Sequence, residues 1–146
     1  MTERRRTPPA VRRVGYVIAV VVNLVLLWLV LVWPGWDAIP YVTVEAAAVI
    51  PLVVASLILG AVVNTLNAVL DSRALHAVGD IATSILSFVV VWRVWDVFPF
   101  AFPAESGAES GVRILLGVLM GLIVLGIVGN VAVLIRLGVG QSARRL

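Results

Sequence analysis

Four long apolar runs separated by short polar breaks set the pattern of this chain. Val14 to Trp33, Ala46 to Leu70 and Ile114 to Ile135 hold 20, 25 and 22 residues without a charge. About 20 apolar residues rising ~1.5 Å each cross a ~30 Å hydrocarbon core, so each run predicts a membrane-spanning helix. The other run, Ile81 to Trp92, has only 12 uncharged residues between Asp80 and Arg93. Twelve residues are too few to span, so this helix must extend from about Leu75 to Phe98 and carry both charges with it. The runs are continuous rather than alternating, which argues against a spanning β-barrel. The expected fold is all-α, a polytopic four-helix transmembrane bundle running up-down-up-down. Its helices fall at approximately 14–33, 43–70, 73–98 and 112–137, with basic tails at 1–13 and 138–146.

Turn residues punctuate the pattern. Pro8 and Pro9 end a short, disordered basic tail, and Pro34-Gly35 forces a turn after Trp33. Thr43 suits the N-cap of the second helix, with Glu45 in its first turn. Pro51, inside that helix, is expected to bend it. A tight turn at Asp71-Ser72, with Ser72 as a cap, makes the second and third helices an antiparallel hairpin. AESG occurs at Ala104 to Gly107 and again at Ala108 to Gly111, and reads as low-complexity spacer.

Composition agrees with the pattern. Hydrophobic residues make up 62% of the 146 residues and charged residues 13%, about half the charged share of a soluble domain. Cysteine is absent, which excludes disulfides, thiol chemistry and thiolate metal sites. All basic residues are arginine; with abundant Val and Ala this suggests a GC-rich bacterial source. The N-terminal stretch resembles a signal peptide in outline. Its apolar run is too long, and Trp33-Pro34-Gly35-Trp36 is no small-residue cleavage site, so the first helix is expected to be retained.

Charge then sets orientation. Arg4, Arg5, Arg6, Arg12, Arg13, Arg73, Arg136, Arg144 and Arg145 fall on one side of the expected spans. Arg93 and Arg113 fall toward the other, with Asp37, Asp96, Glu105 and Glu109. Arginine excess marks the cytoplasmic face, so both termini are expected inside a bacterial plasma (inner) membrane. The basic tail reads as an orientation signal and anionic-lipid contact rather than a nucleic-acid site.

Residues three or four apart share a helix face. Ser56, Gly60, Asn64 and Asn67 make a stripe on the second helix, and His76, Asp80, Ser84 and Ser87 on the third. Gly15, Ala19 and Asn23 make a weaker one on the first. Membrane helices pack through small residues, because lipid offers no hydrophobic incentive to associate, so these stripes are expected to face the bundle centre. The fourth helix has two small-residue faces: Gly117 with Gly121, and Gly126 with Asn130. One is free to pack within the chain while the other meets a second copy.

The polar residues fall at similar depth. Counting from the inner helix ends, Asn64, Asp80 and Asn130 lie roughly 10 Å into the membrane at ~1.5 Å per residue, with Asn23 deeper. Asp80 is the acid well inside the inner leaflet, and His76 lies one turn below it. Two readings fit. Asp80 serves as an ion or proton site with His76 and the amides of Asn23, Asn64, Asn67 and Asn130, because an intramembrane carboxyl is a functional candidate by default. Alternatively these groups are polar glue. Interhelical hydrogen bonds of about 0.6 kcal/mol each offset most of the burial of one acid near a helix end.

At the opposite boundary Trp33, Trp36, Tyr41, Trp92, Trp95, Phe98, Phe100 and Phe102 gather, against Tyr16 alone at the inner one. Anchoring explains such a belt, and its one-sidedness leaves room for a lipid or partner site. Arg93 and Asp96 are placed to pair, and Asp96 is also within range of Arg113. No catalytic triad, HExxH, phosphate-binding Gly loop or twin-His haem pattern is present, so no cofactor or metal is expected. The expected role is non-enzymatic: a small membrane subunit that associates with itself, most simply as a dimer, or with another membrane protein. The alternatives are an ion or proton channel or transporter centred on Asp80, and a lipid-binding or membrane-organising protein using the aromatic cluster.

Overall fold

A computed structural model describes residues 9–70 and 72–142. Arg4, Arg5, Arg6, Arg144, Arg145 and the Asp71 half of the expected tight turn lie outside the described residues. The chain is all-helical, with four helices long and apolar enough to cross a membrane: α1 (Pro9–Leu31), α2 (Ile50–Leu70), α3 (Arg73–Val97) and α4 (Ala108–Ser142).

Helix ends depart from the sequence pattern where local chemistry allows more helix or less. α1 begins at Pro9 rather than near residue 14. Proline suits a first helical position, where its missing N–H has no intrahelical partner, so the proline opens the helix instead of closing a tail. Arg12 and Arg13 therefore ride on α1. The end of α1 widens, with the amides of Val32 and Trp33 both reaching the Trp28 carbonyl and Gly35 N donating to the Leu29 carbonyl at 3.0 Å. Gly35 has φ +88°, and a Cβ there would meet the Asp37 carboxylate at 2.6 Å, so glycine is required at this turn.

Thr43 does not cap α2. It precedes a 3-10 turn, Val44–Ala48, and makes no side-chain cap bond. Its hydroxyl instead serves the exposed Glu45 carboxyl, which it holds below the usual carboxylate range. Pro51 is the second residue of α2, where a missing N–H breaks no helical bond, so it starts the helix and does not bend it. Ser72 occupies the N-cap of α3 without a side-chain cap bond; its carbonyl accepts from His76 N at 2.9 Å. The two AESG segments behave differently. The first is a turn closed by Ser106, whose hydroxyl donates to the Pro103 carbonyl at 2.8 Å. The second forms the first turn of α4 rather than spacer. With 35 residues, α4 is about 52 Å long at 1.5 Å per residue, well beyond the hydrocarbon thickness.

The helices pack in chain order, α1 along α2, α2 along α3 and α3 along α4. Among the described residues no comparable pairing joins α4 back to α1. A local close approach joins α2 and α3. Gly79 and Ala77 are buried there, and a Cβ on Gly79 would sit 2.5 Å from a Val63 methyl. Gly60 plays the same part between α2 and α1, beneath the Asn23 side chain. By contrast Gly15 is exposed with no neighbour, so the expected stripe on α1 does not begin there.

α4 packs within the chain mainly through large side chains, with Asn130 of one small-residue face among them. Its more covered positions are Leu116, Met120, Ile123, Ile127, Asn130, Leu134 and Leu137, spaced four and three residues apart in turn. That is a heptad seam of large side chains against α3. A Cβ on Gly117 would lie 3.9 Å from Trp95, whereas one on Gly121, Gly126 or Gly129 would meet open space.

These contrasts fix an expectation for stability. Gly79→Leu should lower resistance to SDS unfolding by about 1–3 kcal/mol, the range for overpacking a tight seam. Gly121→Leu, which points a side chain into open space, should leave the unfolding midpoint within error of wild type.

Candidate functional site

Where α2 turns into α3, a short run of polar groups links three helices. Asn67 on α2 is 2% exposed. Its Nδ2 lies 3.1 Å from Nδ1 of His76 on α3. His76 Nε2 lies 3.4 Å from Asp80 Oδ2, one turn further along α3. Tyr16 of α1 meets the imidazole edge-on, with ring centroids 5.6 Å apart and planes at 63°. The site passes from a buried amide, through an imidazole, to a carboxylate at the partly exposed end. The His76 and Asp80 side chains are 44% and 35% exposed.

Helical geometry puts these groups together. His76 and Asp80 are four residues apart and share a face of α3. Asn67 is nine residues before His76, across the hairpin, and Ala77 and Gly79 beside them let the two backbones come close. With Nδ2 facing the ring, the amide donates to Nδ1 in the tautomer that carries its hydrogen on Nε2, on the side of Asp80. The Asn67 carbonyl oxygen, Oδ1, is buried with no hydrogen-bond partner. A stranded buried acceptor of this kind costs about 1–3 kcal/mol, so it marks a second arrangement for the amide.

The other expected members of the polar layer bond elsewhere. Asn23 Nδ2 donates to the Ala19 carbonyl at 2.8 Å, and Asn64 Nδ2 to the Gly60 carbonyl at 2.7 Å, each four residues back on its own helix. Asn130 lies on the α4 seam, away from this run. The side-chain partner the structure gives Asp80 is His76, and the amides of Asn64 and Asn130 are not gathered around it. Thr83, not singled out in the sequence, sends its hydroxyl to the carbonyls of Gly79 and Asp80 at 3.0 and 3.1 Å. Its signal was the i to i−4 spacing of a helical threonine. No group of three or more His, Cys, Asp or Glu able to hold a metal occurs among the described residues.

The far end of the molecule is a clasp of backbone and aromatic rings. The loop after α1 and the loop after α3 pair through an antiparallel bridge between Val42 and Phe100. Thr43 N donates to the Pro99 carbonyl at 3.0 Å, and Ala101 N to the Tyr41 carbonyl at 2.8 Å. Tyr41, Phe102, Phe100 and Phe98 then follow one another with centroids 5.5–5.8 Å apart, tilted, stacked and edge-to-face in turn. Tyr41 and Phe98 adopt φ +65° and +42°, a region bulky side chains rarely enter. The Arg113 guanidinium lies 4.2 Å from the Phe98 ring and 5.6 Å from Trp95, and the cation–π attraction offsets part of that strain.

Arg113 is held by Glu109 at 3.1 Å, and Asp96 pairs with Arg93 at 2.8 Å instead of reaching α4. Trp33 stacks loosely on Trp28 at 5.9 Å, and Trp92 on Phe88 at 6.4 Å, both largely exposed. Trp36 lies in the first 3-10 turn, Trp36–Ala38.

No protein-family model matches the chain, and neither a curated protein nor a solved structure matches it.

The buried amide should matter more than its companions. Asn67→Ala removes the donor to His76 and leaves a small cavity, and should destabilise by about 1–3 kcal/mol in SDS unfolding. Asn130→Ala, with no hydrogen bond to lose, should change the midpoint far less.

Proposed function

We propose that this chain is a small multi-pass membrane protein that works without catalysis, by associating with a second copy of itself or with another membrane protein. In this reading the four helices run up-down-up-down, with both termini on the cytoplasmic side of a bacterial plasma membrane. The arginine distribution supports that orientation.

The observation that carries the reading is the unused surface of α4. Its heptad seam against α3 takes one face, and Gly121, Gly126 and Gly129 stand open on the others. Small residues let helix backbones approach, and in lipid that close approach is what drives association. Native mass spectrometry in mild detergent or lipid should therefore give a dimer, which Gly126→Ile shifts to monomer without loss of fold. Gly117→Ile should instead disturb the packing of Trp95. A wild-type spectrum of monomer alone removes self-association. Reporter fusions at the C-terminus and near Gly107 should fall on opposite sides, with the C-terminus inside.

The contact between His76 and Asp80 favours a second reading, a proton or cation pathway. Asp80→Asn keeps size and hydrogen bonding but removes the charge. In this reading liposomes carrying wild type conduct protons, Na⁺ or K⁺ above empty ones, and Asp80→Asn abolishes the flux. No wild-type flux sinks this reading.

A further inference from the structure

We propose that Asn67, His76 and Asp80 form a proton-operated latch that ties α2 to α3, tightening when the imidazole takes up a proton. The inference stands on the geometry of the three groups and holds whether the protein associates or conducts.

Consider the two charge states of His76 in place. Neutral, it accepts at Nδ1 from Asn67 Nδ2, across 3.1 Å, and directs its one N–H at Asp80, across 3.4 Å. Asn67 Oδ1 is left buried and unpartnered. Adding a proton to Nδ1 turns that nitrogen from acceptor to donor, and the amide Nδ2 can no longer face it. Half a turn of the Asn67 amide brings Oδ1 to the new N–H. The oxygen then accepts a hydrogen bond and Nδ2 gives up its own, so one bond replaces another; the new one is charge-assisted, a class roughly twice as strong as its neutral counterpart. At the same time the contact from Nε2 to Asp80 becomes an ion pair, and the imidazolium lies 5.6 Å from the Tyr16 ring, within cation–π range. Of these contacts the one to Asn67 joins α2 to α3, the one to Asp80 lies within α3, and the one to Tyr16 reaches α1.

The groups around His76 permit this. α2 contains no titratable side chain, so Asn67 alone faces it from that helix. α1 contributes Tyr16, with Arg12 and Arg13 one turn nearer its start, both exposed. On α3 itself Arg73 is exposed and Asp80 is the acid in contact. α4 offers Arg136, also exposed. The partial exposure of His76 and Asp80 gives protons a way in. The sign follows from the bonds formed: the latch closes when His76 takes up the second proton and opens when it loses it.

The chain has one histidine, so ¹⁵N-histidine labelling of the intact protein in lipid nanodiscs reports on this ring alone. At about pH 8.5 the imidazole should be neutral with Nδ1 bare and the proton on Nε2; at about pH 5.5 both nitrogens should carry protons. Over the same interval, hydrogen-exchange protection factors of backbone amides in 64–79, corrected for intrinsic rates, should rise about fivefold, as expected for a hydrogen bond strengthened by charge. His76→Gln and Asn67→Leu should both lose that rise. A proton on Nδ1 at the higher pH would overturn the latch without use of any variant. So would a protection gain in wild type that His76→Gln matches, or the absence of any gain.

Discussion

Asn67 is the residue around which the packing is arranged. It carries an amide into a place with 2% exposure, between helices that have no hydrophobic reason to touch in lipid. A side chain of that kind needs a partner, and His76 supplies one across the hairpin. The bond forms because Gly79 removes bulk from α3 and lets Val63 of α2 come in against it. Small residues set the distance, and the polar pair sets the register. α1 then joins from the side, through Tyr16 on His76 and Asn23 over Gly60.

The two ends of the molecule solve the same problem with different chemistry. At the hairpin end a buried amide, an imidazole and a carboxylate link helices by hydrogen bonds and charge. At the other end, two loops exchange backbone hydrogen bonds and cover them with a succession of four rings. The aromatic end holds bulky residues in a left-handed backbone and sets a guanidinium over them, so it is built for rigidity. The hairpin end holds the one group that ordinarily changes charge near neutral pH. A change of protonation there acts on the α2–α3 seam, while the clasp continues to join the loops at the far end.

α4 reaches the aromatic end through Arg113 and stands apart from the hairpin end. It contacts the rest through one heptad seam and leaves its glycines uncovered, so the small residues that looked like internal packing sites are surface. In water that arrangement would expose a large apolar area. In a bilayer, lipid or another helix covers it, and close backbone approach favours the helix where the shapes fit.

Much of the fold was legible in the chain because hydrophobic length is a local property. Four runs of sufficient span required four helices, and the break at residues 71–72 required a hairpin. The one-sided arginines and aromatics needed no structure to be noticed. Proline and serine positions misled where the same residue suits two contexts: Pro9 and Pro51 start helices instead of ending or bending them, and Ser72 sits at a cap position without capping. Side-chain partners were decided by the tertiary structure alone. Periodicity put Asn23, Asn64 and Asn67 near the centre, but an asparagine in a helix can bond to its own backbone four residues back or to a neighbour. Asn23 and Asn64 take the first course and Asn67 the second. The choice depends on how near the adjacent backbone lies, and at Asn67 that distance is set by Gly79 on another helix, which no pattern along α2 records.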